Sequence, residues 1–175
     1  MNEYPQFNGH SLLLAIIESL NRHGSWTGKT HVQKTTFLLK SIVQEEVPFE
    51  FVLYKHGPYS FEVEEALELM KAYQAIVAIP NPVGYGVNIH LGKNEEWLKQ
   101  EEPISGALLE SIDKLCTWVD SRDVKELEPL ATAAWIKTTE HVEAEDAIVA
   151  RLLELKPHIP RDMAIKATSD ILRYP

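Results

Sequence analysis

The chain has 175 residues, of which 45% are hydrophobic and 25% charged, and carries a formal net charge of −9. That length suits one domain with a substantial core, or one small domain with a helical extension, and no apolar run approaches the roughly 20 residues that a membrane-crossing helix needs. The acidic balance disfavours indiscriminate attraction to nucleic acid, and a single cysteine, Cys116, leaves no intramolecular disulfide and no thiolate metal cluster within one chain.

The stretch from Met1 to Gln6 lacks the basic, then apolar, then small-residue succession of a secretory signal, so export is not expected, and with a single cysteine a reducing cytoplasm is the default compartment. The first helix is predicted over Ser11 to Arg22, where Leu12, Leu13, Ile16, Ile17 and Leu20 recur at helical spacing before His23-Gly24. Gly24 to Gly28 reads as a loop. A second helix is predicted from Thr30 to about Gln44, with Val32, Leu38, Leu39 and Val43 inside and Gln33, Lys34 and Lys40 outside or at the rim. After Pro48, the alternation Phe49 to Tyr54 predicts a short strand.

His56-Gly57-Pro58-Tyr59-Ser60 reads as a turn. Gly57 has conformations closed to other residues, Pro58 fixes its own backbone, and Ser60 can cap the amides of a following helix that ends near Tyr73 or Gln74. Glu62, Glu64 and Glu65 favour the positive end of that helix, and Val63, Ala66, Leu67 and Met70 form its apolar stripe. Ala75 to Ile79 and Tyr85 to Leu91, joined across Pro80 to Gly84, predict an antiparallel hairpin. Beyond the charged Lys93 to Glu102 stretch, helices are predicted over about Ser105–Ser121, Val124–Thr138, Val142–Leu155 and Arg161–Arg173. Cys116, spaced helically with Ile112, Leu115 and Val119, reads as a small buried residue.

The expected fold is therefore mainly α with a small β-hairpin: a winged-helix-like unit over residues 1–92, and a helical extension over residues 93–175 packed on it because its apolar stripes need partners. The two segments Val32-Gln33-Lys34 with Phe37-Leu38, and Tyr54 with His56 to Ser60, resemble the YwgA-like proteins and the related Panacea-domain (SocA-like) antitoxins. Leu127 to Thr132 and Lys156-Pro157-His158 also resemble the carboxy-terminal half of the YwgA-like proteins. The resemblance implies a mostly helical protein with a winged-helix-like part, and in the Panacea branch a role in neutralising a companion toxin by protein contact. This chain departs from the shorter Panacea pattern by its helices after Glu102.

The candidate binding residues are Gln33, Lys34, Phe37, Lys40, Tyr54, His56 and Tyr59, with Gly57, Pro58 and Ser60 as structural turn and cap. Gln33 and Lys34 could meet an anionic partner. The alternative is that Gln33 anchors the 56–60 turn while the stem of Lys34 covers apolar surface. From Asn21 to Lys40 every formal charge is positive (Arg22, Lys29, Lys34, Lys40), beside His23 and His31, which reads either as a phosphate-meeting patch or as a solvated face. The helix after Ser60 presents Glu62, Glu64, Glu65 and Glu68 against Lys71, the wrong charge for a DNA groove.

Tyr54, His56 and Tyr59 could serve acid–base chemistry, yet no nucleophile or second carboxylate stands at a diagnostic spacing. His141 to Asp146 lacks a metal-ligand pattern and reads as a charged helix start. The sequence thus favours a non-enzymatic regulatory or interaction protein with a protein partner or a second copy of itself, no cofactor, no metal and no membrane. A DNA-binding regulator and a toxin-neutralising protein are the alternatives.

Overall fold

The computed structural model describes residues 8–24, 26–84 and 86–175. Among these residues the protein is mainly helical, with eight α-helices and two short antiparallel hairpins, and no helix is long and apolar enough to cross a membrane. The first helix, α1 (His10–Arg22), buries Leu12, Leu13, Ile16, Ile17 and Leu20 as predicted. Its first amides are satisfied from far along the chain: Glu102 accepts from Gly9 N at 2.5 Å and from Ser11 N at 3.0 Å. A carboxylate there also meets the positive end of the helix dipole.

The second helix, α2 (Lys29–Ser41), stops a turn before the predicted Gln44. Gln44 adopts φ 63, and the amides of Val43 and Glu45 fold back onto Leu38 O and Leu39 O. The reversal lets Val47 and Phe49 enter the core. The predicted strand from Phe49 shortens to β1 (Val52–Tyr54), because Phe49 O accepts from the Lys40 ammonium and Glu50 N donates to the Glu62 carboxylate. The predicted turn at His56–Ser60 is also corrected. Gly57–Tyr59 is a strand, β2, antiparallel to β1 with Val52 opposite Tyr59, Leu53 opposite Pro58 and Tyr54 opposite Gly57. Only Lys55 and His56 make the turn.

Ser60 caps α3 (Phe61–Ala72) as predicted, its Oγ accepting from Val63 N at 3.2 Å. The second hairpin pairs β3 (Ile76–Pro80) with β4 (Val87–Leu91), Ile76 opposite Leu91 and Pro80 opposite Val87. Two positions of the sequence reading, Ser25 in the first loop and Tyr85 at the start of the second strand, lie outside the described residues, as does the stretch from Met1 to Gln6. The outer edge of β4 is met by the α1–α2 loop: Ile89 N donates to Thr27 O at 2.8 Å, and Thr27 N to Asn88 Oδ1 at 2.9 Å.

A short helix not anticipated from the sequence, α4 (Glu95–Glu101), follows; its acids mask any stripe, and Leu98 is its one fully buried side chain. Next come α5 (Gly106–Val119), α6 (Val124–Thr138), α7 (Glu145–Leu155) and α8 (Arg161–Leu172). Ser105 caps α5, and Asp123 with Glu126 forms a reciprocal capping box on α6. Helix α7 starts three residues after the predicted Val142, since His141 takes φ 57 and Val142 N returns to Ile136 O. Helix α6 packs on α2, α7, α8 and β2, while α5 packs on α1 and α2. Apolar side chains from both parts of the chain join in one core, Cys116 among them.

Candidate functional site

Helix α2 is enclosed by α1, α5, α6, β2 and β4, so it has little free face. Gln33 and Lys34, expected outside or at the rim, are 1% and 2% exposed. Their polar heads are satisfied by hairpin backbone. The Gln33 amide donates from Nε2 to Ser60 O at 2.8 Å and accepts from Ser60 N at 2.9 Å, while Lys34 Nζ donates to Pro58 O at 2.8 Å. Gln33 thus anchors the 56–60 segment; the Lys34 ammonium itself, rather than its stem, does the same.

The carboxy-terminal part grips the hairpin from the other side. Lys156, at the end of α7 and 5% exposed, donates to Tyr54 O at 2.9 Å and Lys55 O at 2.5 Å. Glu128 on α6 faces three cationic or titratable groups: His158 Nε2 at 3.1 Å, His56 Nδ1 at 3.7 Å and Lys156 Nζ at 3.8 Å. Gly57, at φ 91, closes the joint; a Cβ there would stand 3.0 Å from Thr132 Oγ1. Burial pushes the Lys34 ammonium down to about 8, opposed by Glu128 and reinforced by Lys156. Burial likewise lowers Lys156, with Glu128 opposing.

This grip presents aromatic surface. Tyr54, Tyr59 and Phe61 pack together with ring centroids 5.2–5.8 Å apart, and Tyr54 and Phe61 remain 57% and 58% exposed. The Tyr59 hydroxyl donates to Glu64, which also receives Lys29 at 2.9 Å; burial and that carboxylate push the phenol well above its usual range. Of the four clefts described among these residues, none is lined by Tyr54, His56 or Tyr59. The structure brings those three onto one hairpin but sets His56 beside Glu128 on a solvent-facing turn.

Phe37 and Lys40 lie elsewhere, at a cleft of about 380 Å³. Phe37 is buried edge-on against Phe51 at 5.3 Å and tilted against Trp135 at 6.0 Å. Lys40 Nζ donates to Phe49 O at 2.6 Å and approaches Glu50 at 3.3 Å. The positive run of the sequence is therefore consumed by internal partners. Arg22 and His23 both meet Asp113 at 3.1 Å, Lys29 meets Glu64, Lys34 meets Pro58 O, and His31 Nε2 stands 3.0 Å from Arg122 O.

Cys116 is fully buried, and burial raises its thiol to about 12. Glu145 and Asp146 occupy the first turn of α7, the charged helix start that the sequence suggests. Sequence reasoning missed Glu128, Thr132 and Lys156 as members of the joint. Their only signal was that the Leu127–Thr132 and Lys156–His158 stretches share the family resemblance of the two amino-terminal motifs. Compared with protein-family models and with curated proteins, the chain matches none.

Proposed function

We propose that this chain is a non-enzymatic protein-interaction module whose docking surface is the aromatic face of the β1–β2 hairpin and the start of α3. One observation carries the reading: Tyr54 and Phe61, with Val52 at 47% exposure beside them, stay exposed on a hairpin fixed by Gln33, Lys34 and Lys156. Exposed aromatic residues on a preorganised scaffold supply contact area at low ordering cost. Around them stand the exposed acids Glu50, Glu62 and Glu65, so the partner is a protein surface with apolar and basic side chains, and a second copy of the chain is the alternative occupant.

The order α1, α2, α3, β3, β4, interrupted between α2 and α3 by the β1–β2 hairpin and with Ile89 N bonded to Thr27 O before α2, supports the winged-helix-like reading of the amino-terminal part. The pairing of Gln33 with Ser60 supports kinship with the YwgA-like and Panacea proteins, because it ties together the two motifs that carry that resemblance. DNA recognition is the weaker reading. The exposed residues of α3 include Glu62, Glu65 and Glu68, while Arg22, Lys29, Lys34 and Lys40 are engaged internally. A cytoplasmic regulatory role, including toxin neutralisation, fits a partner-binding surface.

The test compares the intact chain with Tyr54→Ala/Phe61→Ala in co-purification from the native cell and in sedimentation equilibrium. A stoichiometric protein retained by the wild type and lost with the double variant, at unchanged circular dichroism, supports the reading. A defined DNA fragment in its place, or a partner retained equally by both proteins, overturns it.

A further inference from the structure

The β3–β4 hairpin has one satisfied edge and one open edge. In an antiparallel ladder, alternate residues bond to the neighbouring strand and those between them turn their backbone groups away from it. Ala75 O accepts from Gly92 N at 2.7 Å and Asn81 N donates to Gly86 O at 3.1 Å, continuing the Ile76–Leu91 register at both ends. Val77 and Ile79 therefore bond to β4, while Ile76, Ala78 and Pro80 direct their backbone groups outward. On β4 the same alternation sends Ile89 N outward, where Thr27 O accepts it. On β3 the outward amides of Ile76 and Ala78 and the carbonyls of Ile76, Ala78 and Pro80 have no partner among the described residues.

Such an edge is a template for another strand unless charge or cover blocks it. Residues 75–84 carry no charge. The packing neighbours of β3 are β4, on its other edge, and α3, the helix that leads into it; Ala78 is half-buried and Pro80 exposed, so the strand runs out past the body of the protein. Its outer face is apolar, with Val77 and Ile79 41% and 51% exposed.

We infer that two copies of the chain pair antiparallel through β3, across a twofold axis at Ala78, and join their hairpins into one continuous sheet. Ala78 N then donates to Ala78 O of the second copy, and Ile76 N to Pro80 O of the second copy, each bond being made twice. The donor that Pro80 lacks falls opposite the Ile76 carbonyl, so every outward N–H of the strand is used. Val77 stands opposite Ile79 of the second copy at the closer, non-hydrogen-bonded spacing, and the exposed apolar pair of each copy covers that of the other. A second copy suits this edge better than any charged face, because two chains of net charge −9 repel least where neither carries a charge. The contact is isologous and leaves the β1–β2 hairpin free, so it is independent of the docking surface proposed above.

Sedimentation equilibrium of the full chain should show a monomer–dimer equilibrium with Kd on the order of 10–100 µM, as suits so small a contact. The Ile76 and Ala78 amides should exchange roughly tenfold more slowly in the dimer than in the monomer. Val77→Lys/Ile79→Lys sets like charges opposite each other and should weaken dimerisation by about tenfold or more, whereas Val77→Lys/Ile79→Glu sets lysine opposite glutamate and should recover most of the loss. Both pairs of substitutions fall on exposed side chains, so circular dichroism should not change. Tyr54→Ala/Phe61→Ala should dimerise as the wild type does, which separates this contact from the hairpin surface. A monomer at every concentration, undiminished dimerisation of the Lys/Lys variant, equal loss in both charged variants, or a dimer abolished by the hairpin variant overturns the inference.

Discussion

Lys34 shows how a side chain that looks solvated can become part of the interior. Its ordinary pKa of 10.5 falls to about 8 in the folded protein. Below pH 8 both states hold the proton and the full cost of burying the charge is present. Between pH 8 and 10.5 the unfolded state binds more protons, so this group makes the folded state more stable as pH rises, by about 3 kcal/mol at most. Cys116, raised from 9.0 to about 12, acts in the opposite direction above pH 9. The wild type alone therefore mixes the two effects, and the difference in unfolding free energy between wild type and Lys34→Met isolates the lysine. That difference should climb in favour of the wild type from pH 8 to 10.5 in urea denaturation; a flat difference would show that the buried ammonium is not there. Gln33 reads in the sequence as an anchor of the turn and Lys34 as a stem over apolar surface, but neither residue type implies full burial. Helical periodicity marks one apolar face, whereas the neighbours that enclose α2 come from positions as distant as α6.

At the level of elements, the β1–β2 hairpin is the piece whose stability depends most on contacts outside itself. It has three paired positions on each strand, and an isolated two-stranded hairpin is marginal in water. Lys156→Met should remove the bonds to Tyr54 O and Lys55 O. Hydrogen exchange should then quicken by roughly tenfold or more at the Tyr54 and Gly57 amides while α1 keeps its protection; uniform acceleration would instead mean that Lys156 supports the whole fold. Helices with a clear stripe were legible, α3 with its Ser60 cap among them, while Ser105 and Asp123 emerge as the caps of α5 and α6 only in the fold. Where the backbone turned left-handed at Gln44 and His141, apolar periodicity ran past the real boundary. The residues of β2 read as a turn because Gly57 and Pro58 usually mark one, and only pairing with β1 makes them a strand.

For the whole molecule, the division into an amino-terminal unit and a helical extension describes the order of the chain better than its energetics. Apolar side chains from α1, α2, α5 and α6 share one core, and Glu102 caps α1 from beyond the second hairpin. The protein should unfold in urea in one transition, with tryptophan fluorescence and far-ultraviolet circular dichroism superimposing. Two separated midpoints would restore two independent folding units.

The bonds of Lys156 to the hairpin span 101 and 102 residues of sequence, whereas the bond of Gln33 to Ser60 spans 27. During synthesis the Gln33 clasp can therefore close early, while the opposite side of the hairpin stays unheld until the end of α7 has emerged from the ribosome. The aromatic face thus reaches its final form only after the end of α7 has been made, and a chain that stops short of Lys156 should leave that side of the hairpin unheld.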